Sequence, residues 1–254
     1  MLNPNAGDMR TMAEPNVALG RANGDAPSLG IGSLGFDKSF DAALPTDSAV
    51  YVIAKRCLDI LIAGAALVVL FPLFILGIAL VRAQGPGPII YRQPRVGIRG
   101  RRFNMYKFRS MRPDRRGRQV GIEFGDRRLS FKTETDPRVT AIGRFLRTTS
   151  LDELPQMFNV LKGDMSIVGP RPEQPEMLRY YRAEHYQRHA VLPGLTGWWQ
   201  INARCTRPTR VIPQHDLDSK LQDDLYYLEH RSFWFDVRII LGTIWVVLLR
   251  RGAY

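Results

Sequence analysis

The longest apolar stretch of the chain, residues 60–81, contains 22 residues and no charged side chain. A helix of about 20 apolar residues is long enough to cross the hydrocarbon core of a bilayer. Pro72 lies near the middle of the stretch, where a proline removes a backbone hydrogen bond and kinks or breaks a helix. The pattern therefore predicts a membrane helix that is broken at Pro72.

Basic residues flank this stretch on both sides, with Lys55 and Arg56 before it and Arg82 and Arg92 after it. Lysine and arginine mark the cytoplasmic side of a membrane segment. A single span places one flank in the cytoplasm, whereas a helix that breaks and returns places both flanks there. We therefore expect a re-entrant helix within residues 49–83, and an ordinary span is the alternative.

Two short strands are predicted directly after this segment. Residues 89–91 and 103–108 are rich in aromatic and β-branched side chains, and a glycine-rich turn at 96–100 lies between them. Such a pattern is typical of a β-hairpin.

The remaining predicted elements are helices. Helical periodicity is found at 139–163, with an interruption around 150–155, and again at 173–190 and 214–229. The apolar run 233–249 is short for a membrane span and is predicted as a buried or interfacial helix. Together with the hairpin, these elements predict an α+β fold that is mainly helical and membrane-associated.

The chain is expected to have three segments. Residues 1–48 are rich in Gly, Ala, Asn, Asp, Ser and Pro without periodicity, which predicts a disordered leader. The leader has neither the basic nor the apolar region of a secretory signal, so we expect it in the cytoplasm. The membrane helix follows at 49–83, and a cytoplasmic domain that ends in the interfacial helix follows at 84–254.

The chain is strongly basic, with 36 Lys and Arg against 24 Asp and Glu and a net charge of +12. Residues 1–50 hold three cations against six carboxylates, so residues 51–254 carry a net charge of +15. Such charge favours three classes of partner, which are nucleic acid, an anionic membrane surface and a phosphate-rich small molecule. Two cysteines and four scattered histidines exclude a disulfide scaffold and argue against a zinc site.

An acidic pair, Asp152 and Glu153, lies in the interruption between the two predicted helical stretches at 139–163. Ser150 and Glu153 have the spacing of a capping box, but Pro155 would then lie inside the helix. A helix that begins at Pro155 avoids this cost. In either case both carboxylates lie at a helix N-terminus, where the dipole favours their ionised form. They are candidates for a nucleophile and for ligands of Mg²⁺, or they are an ordinary surface pair.

Arg171 lies between two prolines, Pro170 and Pro172, which hold it on a stiff, extended backbone. A rigidly held guanidinium is suited to bidentate binding of phosphate. Arg147, five residues before Asp152, can offer a second phosphate contact. The alternatives are a simple proline-rich turn for Arg171 and a solvated cation at a helix end for Arg147.

These features occur together with a set of longer strings that resembles one known family. The strings, in order, are 55–59 (KRCLD), 106–111 (YKFRSM), 136–140 (DPRVT), 150–156 (SLDELPQ), 159–172 (NVLKGDMSIVGPRP), 193–202 (PGLTGWWQIN) and 251–254 (RGAY). They are similar to those of the bacterial sugar transferases, the small monotopic phosphoglycosyl transferases that begin polysaccharide assembly. The resemblance extends over about residues 51–254.

The resemblance implies a reaction and a site. A UDP-sugar gives its sugar-1-phosphate to undecaprenyl phosphate at the inner (cytoplasmic) membrane, through a covalent intermediate on aspartate, with Mg²⁺ as cofactor. It implies that Asp152 is the nucleophile and that Glu153 helps to hold Mg²⁺. The residues that match substrate-binding positions are Arg147, Arg171, Lys107 and Asp224. It also implies that residues 84–254 form the catalytic domain, facing the cytoplasm.

The resemblance leaves several properties open. The exopolysaccharide-like ending at 251–254 favours glucose or galactose as the sugar, and N-acetylated or deoxy sugars are alternatives. A homo-oligomer is compatible with the sequence, and nucleic acid is not expected as a partner of the enzyme. The rival function is a non-enzymatic, membrane-anchored basic protein that binds anionic lipid or nucleic acid, but it does not explain Asp152, Glu153 or Arg171.

Overall fold

The computed structural model describes residues 47–112, 138–203 and 213–248. The predicted leader at 1–48 lies outside the described residues except for its last two positions. The described part is mainly helical, with four short strands arranged in two separate two-stranded sheets. This confirms the predicted α+β class.

The α-helices and the strands of the described residues are each numbered in chain order. The α-helices are α1 (Ala49–Val69), α2 (Phe71–Ala83), α3 (Ala141–Thr148), α4 (Gln156–Lys162), α5 (Trp198–Ala203), α6 (Pro213–His230) and α7 (Phe233–Leu248). The strands are β1 (Ile90–Val96), β2 (Arg102–Phe108), β3 (Ser166–Val168) and β4 (Gly194–Thr196). Single 3-10 segments occur at Ile98–Gly100, Leu151–Glu153, Pro175–Tyr180 and Ala183–Ala190.

The predicted break in the apolar stretch is confirmed. Helices α1 and α2 meet at Leu70 with a bend of 65°. Pro72 lies in the first turn of α2, where its missing N–H would have no partner within the helix. Among the described residues no single helix is long and apolar enough to span a membrane, whereas α1 and α2 meet the length and hydropathy criteria together.

The α1–α2 pair exposes large apolar side chains around its bend. Val68, Val69 and Phe71 are 77%, 72% and 58% exposed. Leaving such side chains in water is unfavourable, since burying each one fully is worth about 1.5–3 kcal/mol. An exposed patch of this kind marks a surface that is covered by something else.

The predicted hairpin is confirmed, with strands that are somewhat longer than expected. β1 and β2 pair antiparallel, from Ile90 opposite Phe108 to Val96 opposite Arg102. The turn between them contains Arg99 in the left-handed region, at φ 50°. Arg109 directly after β2 donates to the carbonyls of Val81, Gly85 and Pro86 at distances of 3.2, 2.7 and 2.8 Å. The hairpin is thereby fixed to the end of α2, whose last carbonyls have no partner within the helix.

α1 packs against α4 in the centre of the molecule. Ala63 of α1 is fully buried in an apolar cluster that includes Val160 of α4 and Met165. The small side chain at this position lets the two helices approach closely. Arg56 of α1 donates to the carbonyls of Val160 and Leu161 at 2.7 and 2.8 Å, and so satisfies acceptors at the end of α4.

α1 also binds the short strand β3 through two polar side chains. Asp59 accepts from the hydroxyl of Ser166 and from the N–H of Ile167 at 2.9 and 2.8 Å. Lys55 donates to the carbonyl of Val168 at 3.0 Å and pairs with Asp236 of α7 at 2.8 Å. Every residue of β3 is thus bonded to α1.

β3 pairs with β4 in a parallel arrangement that the sequence did not predict. Both strands have three residues, which is too short for a recognisable alternation of apolar positions. The backbones approach very closely at Gly194, where a Cβ atom would collide with the nitrogen of Gly169, the residue directly after β3. Only glycine permits this approach.

The predicted amphipathic α-helix at 173–190 is wrong. The segment instead forms two 3-10 turns, separated by extended residues Tyr181 and Arg182. The N–H of Arg182 donates to Nδ1 of His185 at 3.0 Å, a side-chain bond that replaces the helical backbone bond. The side chains that the segment buries include three that are polar, His185, Arg188 and His189, together with Met177.

The remaining helix predictions are confirmed in position. α3 and α4 match 139–163 with its interruption, and α6 matches 214–229. α7 buries Ile239 on one face and exposes Trp234 and Trp245 on the other. The interfacial role of α7 stays a prediction.

Asn159 of α4 is fully buried and holds α4 to the edge of β2. Its Oδ1 accepts from the N–H of Tyr106 at 2.9 Å and its Nδ2 donates to the carbonyl of Asn104 at 2.8 Å. We expect Asn159→Ala to lower the free energy of unfolding by about 2–4 kcal/mol, because it leaves two backbone groups without a partner. Thermal unfolding of the purified protein measures the effect.

Asn104→Ala is the matched control for this variant. The side chain of Asn104 is exposed, and only its backbone carbonyl takes part in the contact, so its replacement should leave the melting temperature nearly unchanged. Equal melting temperatures for Asn159→Ala and the parent protein would contradict the role assigned to Asn159.

Candidate active site

The acidic pair lies on a tight turn between α3 and α4. Ser150 begins the turn in the left-handed conformation, at φ 57°, and its side chain makes no capping hydrogen bond. The capping-box interpretation is therefore wrong, and α4 begins at Gln156 with Pro155 at its cap. This is one residue later than the alternative that started the helix at Pro155.

Two leucines on the same turn anchor it to the apolar interior. Leu151 and Leu154 pack against an apolar cluster formed by Val81, Phe108 and Leu146 from α2, β2 and α3. Asp152 and Glu153 lie between these two leucines in the sequence, and neither is exposed. The residue Asp152 is 7% exposed, and the side chain of Glu153 is 16% exposed.

Two cations from distant parts of the chain meet at one oxygen of Glu153. Nζ of Lys107, from β2, lies 3.2 Å from Oε1 of Glu153. Nη2 of Arg171, from the loop after β3, lies 3.1 Å from the same oxygen. The structure therefore brings together four of the predicted site residues, namely Asp152, Glu153, Lys107 and Arg171.

The electrostatics of this group are those of a partly desolvated ion cluster. Burial lowers the pKa of the Lys107 ammonium, and Glu153 opposes this shift. The charge of Glu153 raises the pKa of Arg171, although burial acts against it. Glu153 thus stabilises both charges at a place where water is largely excluded.

Arg147 lies at the end of α3, close to the acidic turn in sequence. The N–H of Ser150 donates to its carbonyl at 3.1 Å, so the backbone of Arg147 is part of the turn. Its side chain points to the loop after β2, where Nε donates to the hydroxyl of Ser110 at 2.9 Å. The structure does not place the Arg147 guanidinium on Glu153 with the other two cations.

Asp224 of α6 lies in a different cluster. Its carboxylate pairs with Nη2 of Arg188 at 2.7 Å, and both side chains are almost completely buried. Burial raises the pKa of Asp224 to about 6, although Arg188 opposes the shift. Arg188 connects Asp224 to the site, because its Nη2 also donates to the carbonyl of Arg171 at 3.2 Å.

The sequence analysis did not identify two arginines that contact the segment around Arg171. Arg95 of β1 donates from Nη1 to the carbonyl of Pro172 at 2.9 Å, and Arg188 donates to the carbonyl of Arg171. Neither lies in a motif that points to chemistry. The only available signal was indirect, because prolines on both sides of Arg171 leave carbonyls that need donors from elsewhere.

The acidic turn is suited to a magnesium ion. Asp152 and Glu153 offer adjacent carboxylate oxygens, and Mg²⁺ in proteins is held by one or two carboxylates together with phosphates of the substrate. A second group of ligand atoms, from Glu184, His185 and Asp218, lies within 4.8 Å. Its two carboxylates already bind the guanidinium of Arg182, at 2.8 and 2.7 Å.

The chain is similar to known sugar transferases along most of its length. A galactosyl transferase of Streptococcus agalactiae is 43% identical over 205 residues, which are 80% of this chain and 44% of the relative. A UDP-glucose:undecaprenyl-phosphate glucose-1-phosphate transferase of Xanthomonas campestris is 42% identical over 80% of this chain and 40% of the relative. A UDP-N-acetylgalactosamine-undecaprenyl-phosphate N-acetylgalactosaminephosphotransferase of Aeromonas hydrophila is 39% identical over 81% of this chain and 46% of the relative.

The chain spans less than half the length of these three relatives. The family described as bacterial sugar transferase matches residues 50–250, from the start of α1 to beyond α7. Because this match extends over most of the sequence, the chain belongs to the bacterial sugar transferase family.

Proposed function

We propose that the protein transfers a sugar-1-phosphate from a UDP-sugar to undecaprenyl phosphate, through a covalent phospho-sugar intermediate on Asp152. The observation that carries the proposal is the convergence of Lys107 and Arg171 on Glu153, directly beside Asp152. Cations fixed at Glu153 are placed to hold the phosphates of a donor while the neighbouring carboxylate of Asp152 attacks phosphorus. Relatives that carry out such transfers share the same family.

The first displacement occurs at the phosphorus that bears the sugar. An oxygen of the Asp152 carboxylate forms a bond to this phosphorus, and the bond from the phosphorus to the bridging oxygen breaks. The bridging oxygen keeps the electron pair and leaves as part of UMP. Two successive displacements of this type predict ping-pong kinetics.

The second displacement returns Asp152 to its starting state. A phosphate oxygen of undecaprenyl phosphate attacks the phosphorus of the aspartyl intermediate, and the bond between Asp152 and this phosphorus breaks. The product is undecaprenyl diphosphate sugar, and no water or redox partner takes part. Water has to be excluded at this stage, because it would hydrolyse the aspartyl intermediate. The low exposure of Asp152 keeps water away from the intermediate.

The cations have distinct tasks in the two displacements. Arg171 presents a planar fork that can bind two phosphate oxygens at once. Lys107 contributes a compact charge beside it, and Arg147 is the nearest further cation along the chain. Charge that develops on the leaving UMP is stabilised by fixed cations in a site with little water.

Mg²⁺ is proposed as the cofactor, held by Glu153 with support from Asp152. When bound, Mg²⁺ neutralises part of the negative charge of the two phosphates. Asp152 and Glu153 both offer carboxylate oxygens, and oxygen is the ligand atom that Mg²⁺ takes in proteins. The donor set is therefore compatible with the metal.

The proposed sugar is glucose or galactose. The three relatives transfer, by their names, galactose, glucose and N-acetylgalactosamine at nearly equal identity to this chain. UMP release from a panel of UDP-sugars, with undecaprenyl phosphate and Mg²⁺ present, identifies the donor.

The proposed location is the cytoplasmic face of the inner membrane, with α1 and α2 inserted as a re-entrant pair. Support comes from the 65° bend and from the exposed apolar residues around it. In this topology residues on both sides of the pair face the cytoplasm. Asp47 and Ala83 are exposed and lie at the two ends, which makes them suitable positions for single cysteines.

We expect Asp47→Cys and Ala83→Cys, in a background without Cys57 and Cys205, to resist a membrane-impermeant maleimide in spheroplasts. Both should be labelled after permeabilisation, which is the control for reactivity. Labelling of Asp47→Cys alone in spheroplasts would instead support an ordinary span. Pro72→Leu should shift the protein toward that outcome, because a straight run of 22 apolar residues is long enough to span.

Arg171→Lys should weaken use of the UDP-sugar by about 1.5–3 kcal/mol in kcat/KM, the range for a hydrogen bond to a charged group. The substitution keeps the charge but removes the planar fork. Steady-state kinetics at varied concentrations of the UDP-sugar measure the loss. Arg92→Lys, at an exposed residue of β1, is the control. Kinetics of Arg171→Lys equal to those of the parent protein would exclude Arg171 from donor binding.

Asp152→Asn should reduce turnover by several orders of magnitude, because it removes the attacking anion and keeps the size of the side chain. A UDP-sugar labelled in the sugar, mixed with parent protein without lipid acceptor, should leave covalent label after denaturation and release UMP in about equal amount. Asp152→Asn should hold no label at any Mg²⁺ concentration. Glu153→Gln should be severely impaired and recover some label at high Mg²⁺.

Peptide mapping provides the decisive result for this mechanism. The adduct should be found on Asp152. Label on another residue, or full activity of Asp152→Asn, would overturn the proposed nucleophile.

A further inference from the structure

The segment that carries Arg171, residues 170–173, has few backbone N–H groups that can donate hydrogen bonds. Two of the four residues from Pro170 to Glu173 are prolines, which have no backbone N–H. The segment therefore has few donors with which to join a sheet or a helix. Its backbone can be fixed mainly through its carbonyl groups, and each of these needs a donor from another part of the chain.

All four of these consecutive carbonyls receive such a donor. The N–H of Gly194 donates to Pro170 at 2.8 Å, and the N–H of Val96 donates to Glu173 at 3.0 Å. The two carbonyls between them are bound by side chains. Nη2 of Arg188 donates to the carbonyl of Arg171 at 3.2 Å, and Nη1 of Arg95 donates to the carbonyl of Pro172 at 2.9 Å.

Arg95 is itself held in place on the hairpin. Its Nη2 donates to Oε1 of Gln93 at 2.9 Å, so the guanidinium bridges β1 and the segment that carries Arg171. Burial and the nearby charge of Arg171 lower the pKa of Arg95 to about 10. Placing a second buried cation beside Arg171 is unfavourable unless it has a structural purpose.

Arg188 is held still more firmly. Nη1 of Arg188 lies 3.3 Å from Glu173 and 3.2 Å from the hydroxyl of Tyr181, and Nη2 lies 2.7 Å from Asp224. Its side chain is 2% exposed, so no substrate can reach it directly. Asp224 fixes Arg188, and Arg188 fixes the backbone of Arg171.

We infer that Arg95 and Arg188 are positioning residues, which hold the backbone at Arg171 and Pro172 so that the Arg171 guanidinium faces Glu153 and the donor phosphates. Asp224 acts one step further away, through Arg188, and does not bind the substrate itself. The inference rests on the proposed function for the identity of the donor. The hydrogen bonds to the backbone do not depend on it.

Arg95 is the better residue to test, because it is less buried than Arg188, whose replacement would break the buried ion pair with Asp224. Arg95→Gln shortens the side chain and removes the donor to Pro172. Arg95→Lys retains one donor and should restore part of the effect. Arg92→Gln, an exposed arginine of the same strand, removes the same charge and is the control.

The first measurement is hydrogen–deuterium exchange of the purified parent protein and the variants, without substrate. In Arg95→Gln the amides of Gly169, Arg171 and Glu173 should exchange at least about tenfold faster, because a bond that limits local opening is lost. The amides of α4 should be unchanged, which shows that the variant is folded. Arg92→Gln should match the parent protein. Unchanged exchange at Arg171 in a folded Arg95→Gln would overturn the inference.

The second measurement is a double-mutant cycle of Arg95→Gln with Arg171→Lys. Arg95→Gln alone should lower kcat/KM for the UDP-sugar about tenfold or more, with KM for undecaprenyl phosphate unchanged. In the Arg171→Lys background, Arg95→Gln should lower kcat/KM for the UDP-sugar by less than about twofold. The effects of two substitutions are not additive when one residue acts through the other. Losses that multiply would show that Arg95 acts independently of Arg171, and would overturn the inference.

The two measurements separate the inference from the proposed function. If the parent protein releases no UMP from any UDP-sugar, the proposed function fails, and the exchange experiment alone decides whether Arg95 positions Arg171. If UMP is released and the exchange at Arg171 is unchanged, the proposed function stands and the positioning role fails.

Discussion

The contact of Lys107 and Arg171 with one carboxylate oxygen of Glu153 organises the site. The two cations come from β2 and from the loop after β3, and without the carboxylate they would repel each other in a place with little water. Removing one partner of a buried ion cluster leaves uncompensated charge and is strongly unfavourable. The acidic turn, the hairpin and the loop therefore have to be placed accurately relative to one another.

Arginine side chains provide much of that placement. Carbonyls at the ends of helices and in the loops have no partner within a helix or strand. Arg56, Arg95, Arg109 and Arg188 each donate to such carbonyls. The positive charge of the chain was interpreted as a sign of phosphate or membrane binding, but at least these four arginines also hold the backbone around the candidate site.

The sequence predicted those parts of the fold that have a long periodic pattern or a strong local signal. The break at Pro72, the hairpin and the positions of α6 and α7 are of this kind, and the strings around Asp152 and Arg171 led to the family. The pairing of β3 with β4 was not predictable, because three-residue strands have no readable pattern and the pairing depends on close contact between Gly169 and Gly194. The helix expected at 173–190 failed because His185 competes for a backbone N–H.

The site was predictable residue by residue only where a motif existed. Lys107 and Arg171 were predicted to share one site, and they meet at Glu153. Asp224 was predicted for the same site, but it lies in a buried pair with Arg188. Arg95 and Arg188 could not have been singled out among 36 basic residues, because their role depends on which carbonyl each one reaches. Such contacts are a property of tertiary structure and leave no local trace in the sequence.

The bonds between α1 and β3 have a consequence for how the protein can be handled. Asp59 and Lys55 belong to the helix pair that the sequence presents as a membrane anchor, yet they hold the strand that leads directly to Arg171. The helix pair is thus part of the structure that supports Arg171 and cannot be removed without affecting it. A fragment trimmed to begin after residue 83 would leave Ser166, Ile167 and Val168 without these partners. Arg171, three residues after the end of β3, would then lose the scaffold that aims its guanidinium.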